Sequence, residues 1–319
     1  MVIIGGGPAG LSAALMLGRC RRRVVVCDAG TPRNAYSRAL HGYLTRDGIP
    51  PPELLALGRA ELAQYGVTFC QVRVETVHRR PDDEFDVQLE TGDRLRTRKV
   101  LIATGVTDHL PQIPGMRECY GRSVFHCPYC DGWEWRDTRL AVYGHGRAGA
   151  AVSLALLTWS RDVVLFTDGP ARLPAGLRQQ LAGRGIAVRT TPIVAFRHDD
   201  GRLAGLALAD GSLLERDALF FTTGQHQHAP FAEQLGCELT RKGTVRTDRF
   251  GQTCVPGVYV VGDASRDVQF VVVAAAEGAK AAVAINKQFE AESGQALRDE
   301  GVPAALPGDA SATEGHVQH

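Results

Sequence analysis

The apolar positions of this chain come in short β-branched runs that break off at glycine and give way to helical spacing. Val2-Ile3-Ile4 runs into Gly5-Gly6-Gly7-Pro8-Ala9-Gly10 and then into Leu11-Ser12-Ala13-Ala14-Leu15-Met16-Leu17. Such a run predicts a buried strand, a tight turn and a helix. The next run, Arg23-Val24-Val25-Val26-Cys27-Asp28, predicts a second strand that ends in an acid. Pro50, Pro51 and Pro52 fix the chain ahead of a helix with apolar positions Leu54, Leu55, Leu62 and Tyr65. Strands are expected over 67–77, 85–90 and 94–98, followed by the apolar run Val100-Leu101-Ile102, which closes on Ala103-Thr104-Gly105.

The pattern restarts after Arg139. Leu140-Ala141-Val142-Tyr143 leads into Gly144-His145-Gly146-Arg147-Ala148-Gly149, an apolar helix through Trp159, and the strand Val163-Val164-Leu165-Phe166. Leu219-Phe220-Phe221-Thr222-Thr223-Gly224 is the counterpart of the first half's strand ending in Thr-Gly. From Thr247 the chain runs through Val258-Tyr259-Val260-Val261-Gly262-Asp263 into an alanine-rich helix from about Val271 to Phe289. Beyond Glu292 it turns to Gly, Pro, Ser, Asp and Glu, so residues 293–319 are expected to be a disordered tail.

This is an internal repeat of a strand, glycine turn, helix and strand. G-x-G-x-x-G at such a junction lets the backbone approach a pyrophosphate at the helix N-terminus, and an acid about 20 residues on suits a ribose hydroxyl. Gly5, Gly7, Pro8, Ala9 and Gly10 with Asp28 are therefore candidate dinucleotide-binding residues, and Gly262 with Asp263 ends another strand that can aim amides at an anion and a carboxylate at a polyol. The bland alternative at Gly5–Gly10 is a tight turn with no ligand; the second G-x-G-x-x-G is either a second nucleotide site or a retained fold element.

Composition narrows the function. At 319 residues the chain is long enough for two domains. A formal net charge of +1 and the lack of a long basic run argue against nucleic acid or a membrane surface as the main partner. With no run of 18 apolar residues, no membrane span and a cytoplasmic location are expected. Eight cysteines at irregular spacing do not make a disulfide scaffold.

One cysteine pair does have a telling spacing: His126-Cys127-Pro128-Tyr129-Cys130-Asp131-Gly132. Two cysteines three apart at a helix start can close a disulfide, and their thiolates are favoured by the helix N-terminus. Half a zinc site, a structural disulfide and two core cysteines are the alternatives. The other six cysteines offer no second pair for a tetrahedral metal site, so no metal is expected. Two nucleotide signatures flank the pair and point to redox use.

Taken together, these motifs resemble the low-molecular-weight thioredoxin reductase family of FAD-dependent pyridine nucleotide-disulfide oxidoreductases over about residues 2 to 290. GGGPAG, Ala103-Thr104-Gly105, CxxCDG, the second G-x-G-x-x-G and Gly257–Ser265 follow that family's order and spacing. The resemblance implies an α/β fold of two Rossmann-like, three-layer dinucleotide-binding domains, the second inserted into the first. An FAD domain would comprise 1–112 and 245–292, with an inserted NAD(P)-binding-like domain at 113–244 that carries the CxxC. It implies bound FAD, a homodimer, and rotation of one domain against the other. It further implies that Cys130 meets the flavin, that Cys127 exchanges with an outside dithiol or disulfide, and that Asp131 is the acid-base residue; for Asp131 the alternative is a carboxylate that stabilises the helix dipole. Ala103, Thr104, Gly105, Gly262 and Asp263 join the flavin-binding residues.

Two departures bear on electron supply. NADPH-using members carry His-Arg-Arg just after the second strand of the inserted domain, where this chain reads Thr167-Asp168-Gly169-Pro170. An acid there repels a ribose phosphate, so NADPH is disfavoured and NADH remains open. Val268-Gln269-Phe270-Val271 replaces the family's Arg-Gln pair near the flavin. The flank through Trp133-Glu134-Trp135 looks most like the gliotoxin and holomycin dithiol oxidases, which oxidise a small dithiol and pass electrons through FAD to dioxygen, although that branch often has His where this chain has Asp131. The expected activity is dithiol oxidation, with an NAD(P)H-dependent reductase acting on a thioredoxin-like protein as the alternative. A non-catalytic flavin-binding redox sensor is a third reading. Trp133 and Trp135 either line a flat substrate or pack in the core, and His41 and Asp47 either face the flavin or cap turns.

Overall fold

The computed structural model describes residues 1–265 and 268–299. Two parallel five-stranded sheets organise the chain. In the first the order is Val258–Val260, Val100–Ile102, Val2–Ile4, Val25–Cys27, Thr68–Cys70; in the second it is Ala187–Arg189, Val163–Phe166, Leu140–Tyr143, Ala218–Phe221, Val124–Phe125. Both are built as the repeat predicts: Val2 pairs with Val25 on one side and Val100 on the other, and Leu140 with Val163 and Ala218. The fold is α/β with two Rossmann-type units. Strands buried on both faces explain why the runs read as continuous rather than alternating apolar residues.

Some expectations shift. The strand anticipated over 67–77 is two strands in different sheets, Thr68–Cys70 in the parallel sheet and Val74–Arg79 in an antiparallel one with Phe85–Leu89 and Arg94–Thr97. The helix of the second unit, Gly146–Leu156, stops short of Trp159. The last helix runs from Val271 to Asp299, so residues 293–299, expected to be disordered, are helical; the rest of the expected tail, residues 300–319, lies outside the described residues.

The two units are joined where Val106–Asp108 and Gln225–Gln227 pair antiparallel, Asp108 opposite Gln225. Phe231, Ala232, Cys237 and Val245 pack into one core with Val2, Ile4, Val100 and Val258. Packing therefore returns the chain to the first unit just after this ladder, rather than at 245.

The first helix, Pro8–Arg19, lies against the last through small side chains, with Ala9, Ala13 and Ala14 meeting Ala274, Ala281 and Ala282 in one cluster. Contact is closest at Gly278, where a Cβ would stand 2.0 Å from the Ala9 carbonyl oxygen. This clamp seats the helix whose N-terminus follows the first glycine turn. Gly278→Ala should force the two helices apart and destabilise the fold by about 1–3 kcal/mol, the usual cost of overpacking. Urea unfolding measures it, and an unchanged midpoint would mean the helices shift without cost.

Candidate functional site

The main cavity lies at the C-terminal edge of the first sheet, where an open parallel sheet binds its ligand, and the second unit walls it with Val124, Phe125 and His126. The cavity, of about 570 Å³, is lined by Gly5, Gly7, Pro8 and Ala9 after the first strand and by Asp28 after the second. Ala103, Thr104 and Gly105, and then Gly262 and Asp263, complete the wall from the two neighbouring strands. Twelve of the fourteen site residues expected from the sequence line it, Cys130 and Asp131 among them. Gly10 does not, because it packs under the turn: a Cβ there would lie 2.0 Å from the Gly5 carbonyl oxygen. Cys127 is the other exception.

Cys127 and Cys130 form a disulfide, with Cα atoms 5.3 Å apart. Cys127 is the extended residue before a single helical turn, Pro128–Asp131, started by Pro128 in the position proline favours. One turn supplies little dipole, so the expected stabilisation of thiolates by a helix N-terminus is not available here. Gly132 ends the turn flat against Trp159, where a Cβ would stand 2.7 Å from the indole. Tyr129 and Trp133 are exposed. Trp135 instead packs with Phe125, ring centroids 6.2 Å apart, and takes the core reading.

Burial first and the charge of Glu134 second push the Asp131 carboxyl up to about 7. That value suits proton transfer near neutrality. His126, which also lines the cavity, is pushed down to about 4 by burial and then by Arg33, against the pull of Asp108.

Sequence reasoning missed the hub of the site, Arg33. Its Nε donates to Asp108 Oδ2 at 2.9 Å and Nη2 to Asp108 Oδ1 at 2.5 Å. Nη1 donates to Asp263 Oδ2 at 3.0 Å and to Gln269 Oε1 at 2.6 Å, and Nη2 reaches Gln225 Oε1 at 3.3 Å. Tyr120 OH donates to Asp108 Oδ2 at 2.6 Å. Burial opposes the charge on Arg33, but the bonds to Asp108 and the charge of Asp263 outweigh it and hold the guanidinium above its ordinary value. Burial likewise opposes the charge on Asp108, whose carboxyl Arg33 nonetheless holds low, while burial dominates at Asp263 and raises it. Asp263, expected to face a polyol, is thus ion-paired on one oxygen, and the Gly262 amide donates to Glu277 Oε2 at 2.9 Å rather than to a ligand.

The two glycine turns differ at one amide, although each half has a buried threonine hydroxyl without a partner, Thr104 in the first and Thr222 beside Gly144 in the second. At the first, no bond to another described residue engages the Gly7 amide, and the Thr104 hydroxyl is buried without a partner at the cavity wall. Unanswered donors of this kind, on a cavity of this size, fit a bound dinucleotide. At the second, Gly146 N–H donates to the Ala171 carbonyl at 3.0 Å, and His145 Nδ1 lies 3.1 Å from the Thr167 carbonyl. Ala171 and Leu173 are buried in the core beneath, and Tyr143 OH donates to Asp168 at 2.9 Å. The segment after the second strand folds back over its own turn.

Comparison with known proteins follows this geometry. The family model for pyridine nucleotide-disulphide oxidoreductases matches residues 1–278. The chain belongs to that family. Thioredoxin reductase sirT of Leptosphaeria maculans is 33% identical over 304 residues, covering 90% of this chain and 93% of its own. Among solved structures, HlmI superposes with a TM-score of 0.87 at 40% identity, covering 94% of this chain and 96% of its own. An oxidoreductase from Agrobacterium tumefaciens gives 0.84 at 35%, covering 90% and 97%. This chain is therefore a flavin-dependent, thioredoxin reductase-like oxidoreductase. Among the described residues no three His, Cys, Asp or Glu side chains cluster to hold a metal, and no helix is long and apolar enough to cross a membrane.

Replacing Arg33 with Gln leaves Asp108, whose side chain is 4% exposed, and Asp263 facing each other without a cation. Breaking a buried pair in this way should cost about 3–5 kcal/mol. The check is the urea midpoint of the FAD-loaded protein; a loss below about 1 kcal/mol, the value of a surface pair, would show that water already shares the load.

Proposed function

We propose that this protein is an FAD-dependent dithiol oxidase: it converts a small-molecule dithiol to a disulfide at the Cys127–Cys130 pair, with dioxygen as the electron acceptor. The observation that carries this reading is the bond from the Gly146 amide of the second glycine turn to the Ala171 carbonyl. A helix N-terminus binds phosphate through unoccupied amides, and Gly146 spends its amide on Ala171. With Thr167 buried and Asp168 an acid at the place where a 2′-phosphate would need cations, electrons enter from the dithiol rather than from a nicotinamide.

One thiol of the substrate gives its proton to Asp131 and attacks Cys127 Sγ. The Cys127–Cys130 bond breaks, and Cys130 leaves as a thiolate on the cavity side. The second substrate thiol passes its proton to the departing Cys127 sulfur as it attacks the mixed disulfide, which expels Cys127 as a thiol and closes the product. Bound FAD, held by Gly5, Gly7, Pro8, Ala9, Asp28, Ala103, Thr104, Gly105, Gly262 and Asp263, would take the electron pair of the reduced cysteines as the Cys127–Cys130 bond re-forms and pass it to dioxygen, which with the two released protons gives hydrogen peroxide. Exposed Tyr129 and Trp133 beside the pair suit a substrate with a flat apolar face. We take the active form to be a cytoplasmic homodimer. Retention of Asp131 and the name borne by the Leptosphaeria relative favour the alternative, a thioredoxin reductase fed by NAD(P)H.

Stopped-flow flavin reduction under nitrogen separates the two. Dithiothreitol should reduce the flavin rapidly, and NADH and NADPH only slowly; the affinity for NADPH should be at least roughly tenfold below that of a site with charge-assisted contacts to the ribose phosphate. Rapid, saturable reduction by micromolar NADPH would restore the reductase.

The cysteine roles have their own check. Cys127→Ser should leave a Cys130 thiolate beside oxidised FAD and a long-wavelength absorption band, whereas Cys130→Ser should show none. The reverse pattern would exchange the two roles.

A further inference from the structure

The loop after Tyr36 closes on itself, with the Leu40 amide donating to the Ile49 carbonyl at 2.9 Å and the Gly48 amide to the Leu40 carbonyl at 2.8 Å. Inside it Asp47 Oδ1 accepts from the Gly42 amide at 2.7 Å and stands 3.6 Å from His41 Nδ1. The other ring nitrogen, Nε2, lies 3.5 Å from Glu134 Oε1. His41 also lines the cavity that holds Cys130 and Asp131. An imidazole of the first unit thus reaches across to the segment of the second that carries the cysteines.

We propose that His41 is a positioning residue for the dithiol-disulfide exchange: anchored by Asp47, it holds Glu134 and sets the charge that Asp131 faces. This rests on the roles assigned above to Cys127, Cys130 and Asp131. In the exchange, the attacking thiol loses its proton to the Asp131 carboxylate as the Cys127–Cys130 bond breaks. Glu134 opposes the ionised form of that carboxylate, and the imidazole nitrogen 3.5 Å from Glu134 Oε1 fixes where that charge stands, so that loss of the ring frees Glu134 to approach Asp131.

The other groups in reach are few. His126 shares the cavity wall with Asp131. On its far side Glu134 borders a second cavity with Arg38, Arg122, Arg139 and Arg202, and with Asp137 and Asp217. Arg122 is engaged by Asp200, and Arg139 by Asp217 and Glu215. His41 is the group on the flavin side that meets Glu134 directly.

The test follows the opening of Cys127–Cys130 by dithiothreitol under nitrogen against pH, with acid quench, alkylation and mass spectrometry of the two thiols. Asp131→Asn sets the baseline due to the probe's own thiolate. His41→Gln should move the midpoint assigned to Asp131 up by roughly 0.5–1 pH unit, the effect of one neighbouring charge near a protein surface. Glu134→Gln should move it down by a similar amount, and the double variant should follow Glu134→Gln, because His41 acts through Glu134. Loop packing alone would not produce shifts of opposite sign. An unmoved midpoint in either single variant, or a shift of the same sign in both, overturns the proposal. Circular dichroism and FAD content confirm each fold; should His41→Gln not fold, His41→Asn takes its place with the same expected shift. Because disulfide opening is read on the thiols, failure of dioxygen to reoxidise the flavin would count against the oxidase reading and leave these midpoints intact.

Discussion

A single buried guanidinium ties together segments that the chain order keeps far apart. Arg33 bonds Asp108 and Gln225 on the two strands that cross between units, and Asp263 and Gln269 on the segment that returns to the first. Its five donors in a fixed fork are what allow one side chain to meet four partners. Such an arrangement adds little net stability compared with a well-packed apolar core, because desolvating the charges offsets most of their attraction. What it does impose is position. Asp108 cannot move away from Arg33 without leaving a buried carboxylate uncompensated, so the crossing ladder is held against the floor of the cavity. The Cys-bearing unit is placed by the same constraint, since it hangs from that ladder.

The elements that were legible in the sequence are those whose cause is local. Val2-Ile3-Ile4 and Leu140-Ala141-Val142-Tyr143 are continuous apolar runs because both faces of each sheet are covered, and each glycine turn follows its strand directly. The family resemblance, not the spacing by itself, led to the expectation that Cys130 meets the flavin, and Cys130 and Asp131 line the cavity with the first glycine turn. Arg33 was not legible: it sits in a short 3-10 turn after Pro32, one arginine among many, and its partners lie 75 to 236 residues away. The crossing point near Gln227 was equally hidden, since Phe231 and Cys237 declare their unit only through the core they join. The last helix ran past its expected end because Ser293 and Gly294, read as breakers, are tolerated within an established helix, where Ser293 Oγ donates to the Phe289 carbonyl.

The repeat also conceals an asymmetry that motif matching cannot see. Both glycine turns satisfy G-x-G-x-x-G, and both first glycines bond the neighbouring strand in the same way, Gly5 to Cys27 and Gly144 to Phe166. They diverge at the third position of the motif. Gly7 lies at φ −74° and its amide has no bond to another described residue, whereas Gly146 turns to φ +58° and bonds Ala171. The difference is dictated from outside the motif, by Ala171 and Leu173 finding core to fill. At Gly146 the chain itself meets an amide that a ligand could otherwise have met.

The same economy governs protons at the cysteine pair. A longer helix behind Cys127 would draw negative charge toward the thiols, but Pro128–Asp131 is a single turn, and Gly132 is pinned on Trp159. Control of charge therefore falls to side chains. His126, held neutral by burial and by Arg33, adds none at neutral pH. Asp131, raised by burial and by Glu134, sits where a small change in its surroundings alters its occupancy most. The first unit acts on that balance through the loop bearing His41, and on position through Arg33. Geometry and charge at the disulfide are thus both set from the flavin side, so a displacement of the second unit would disturb them together.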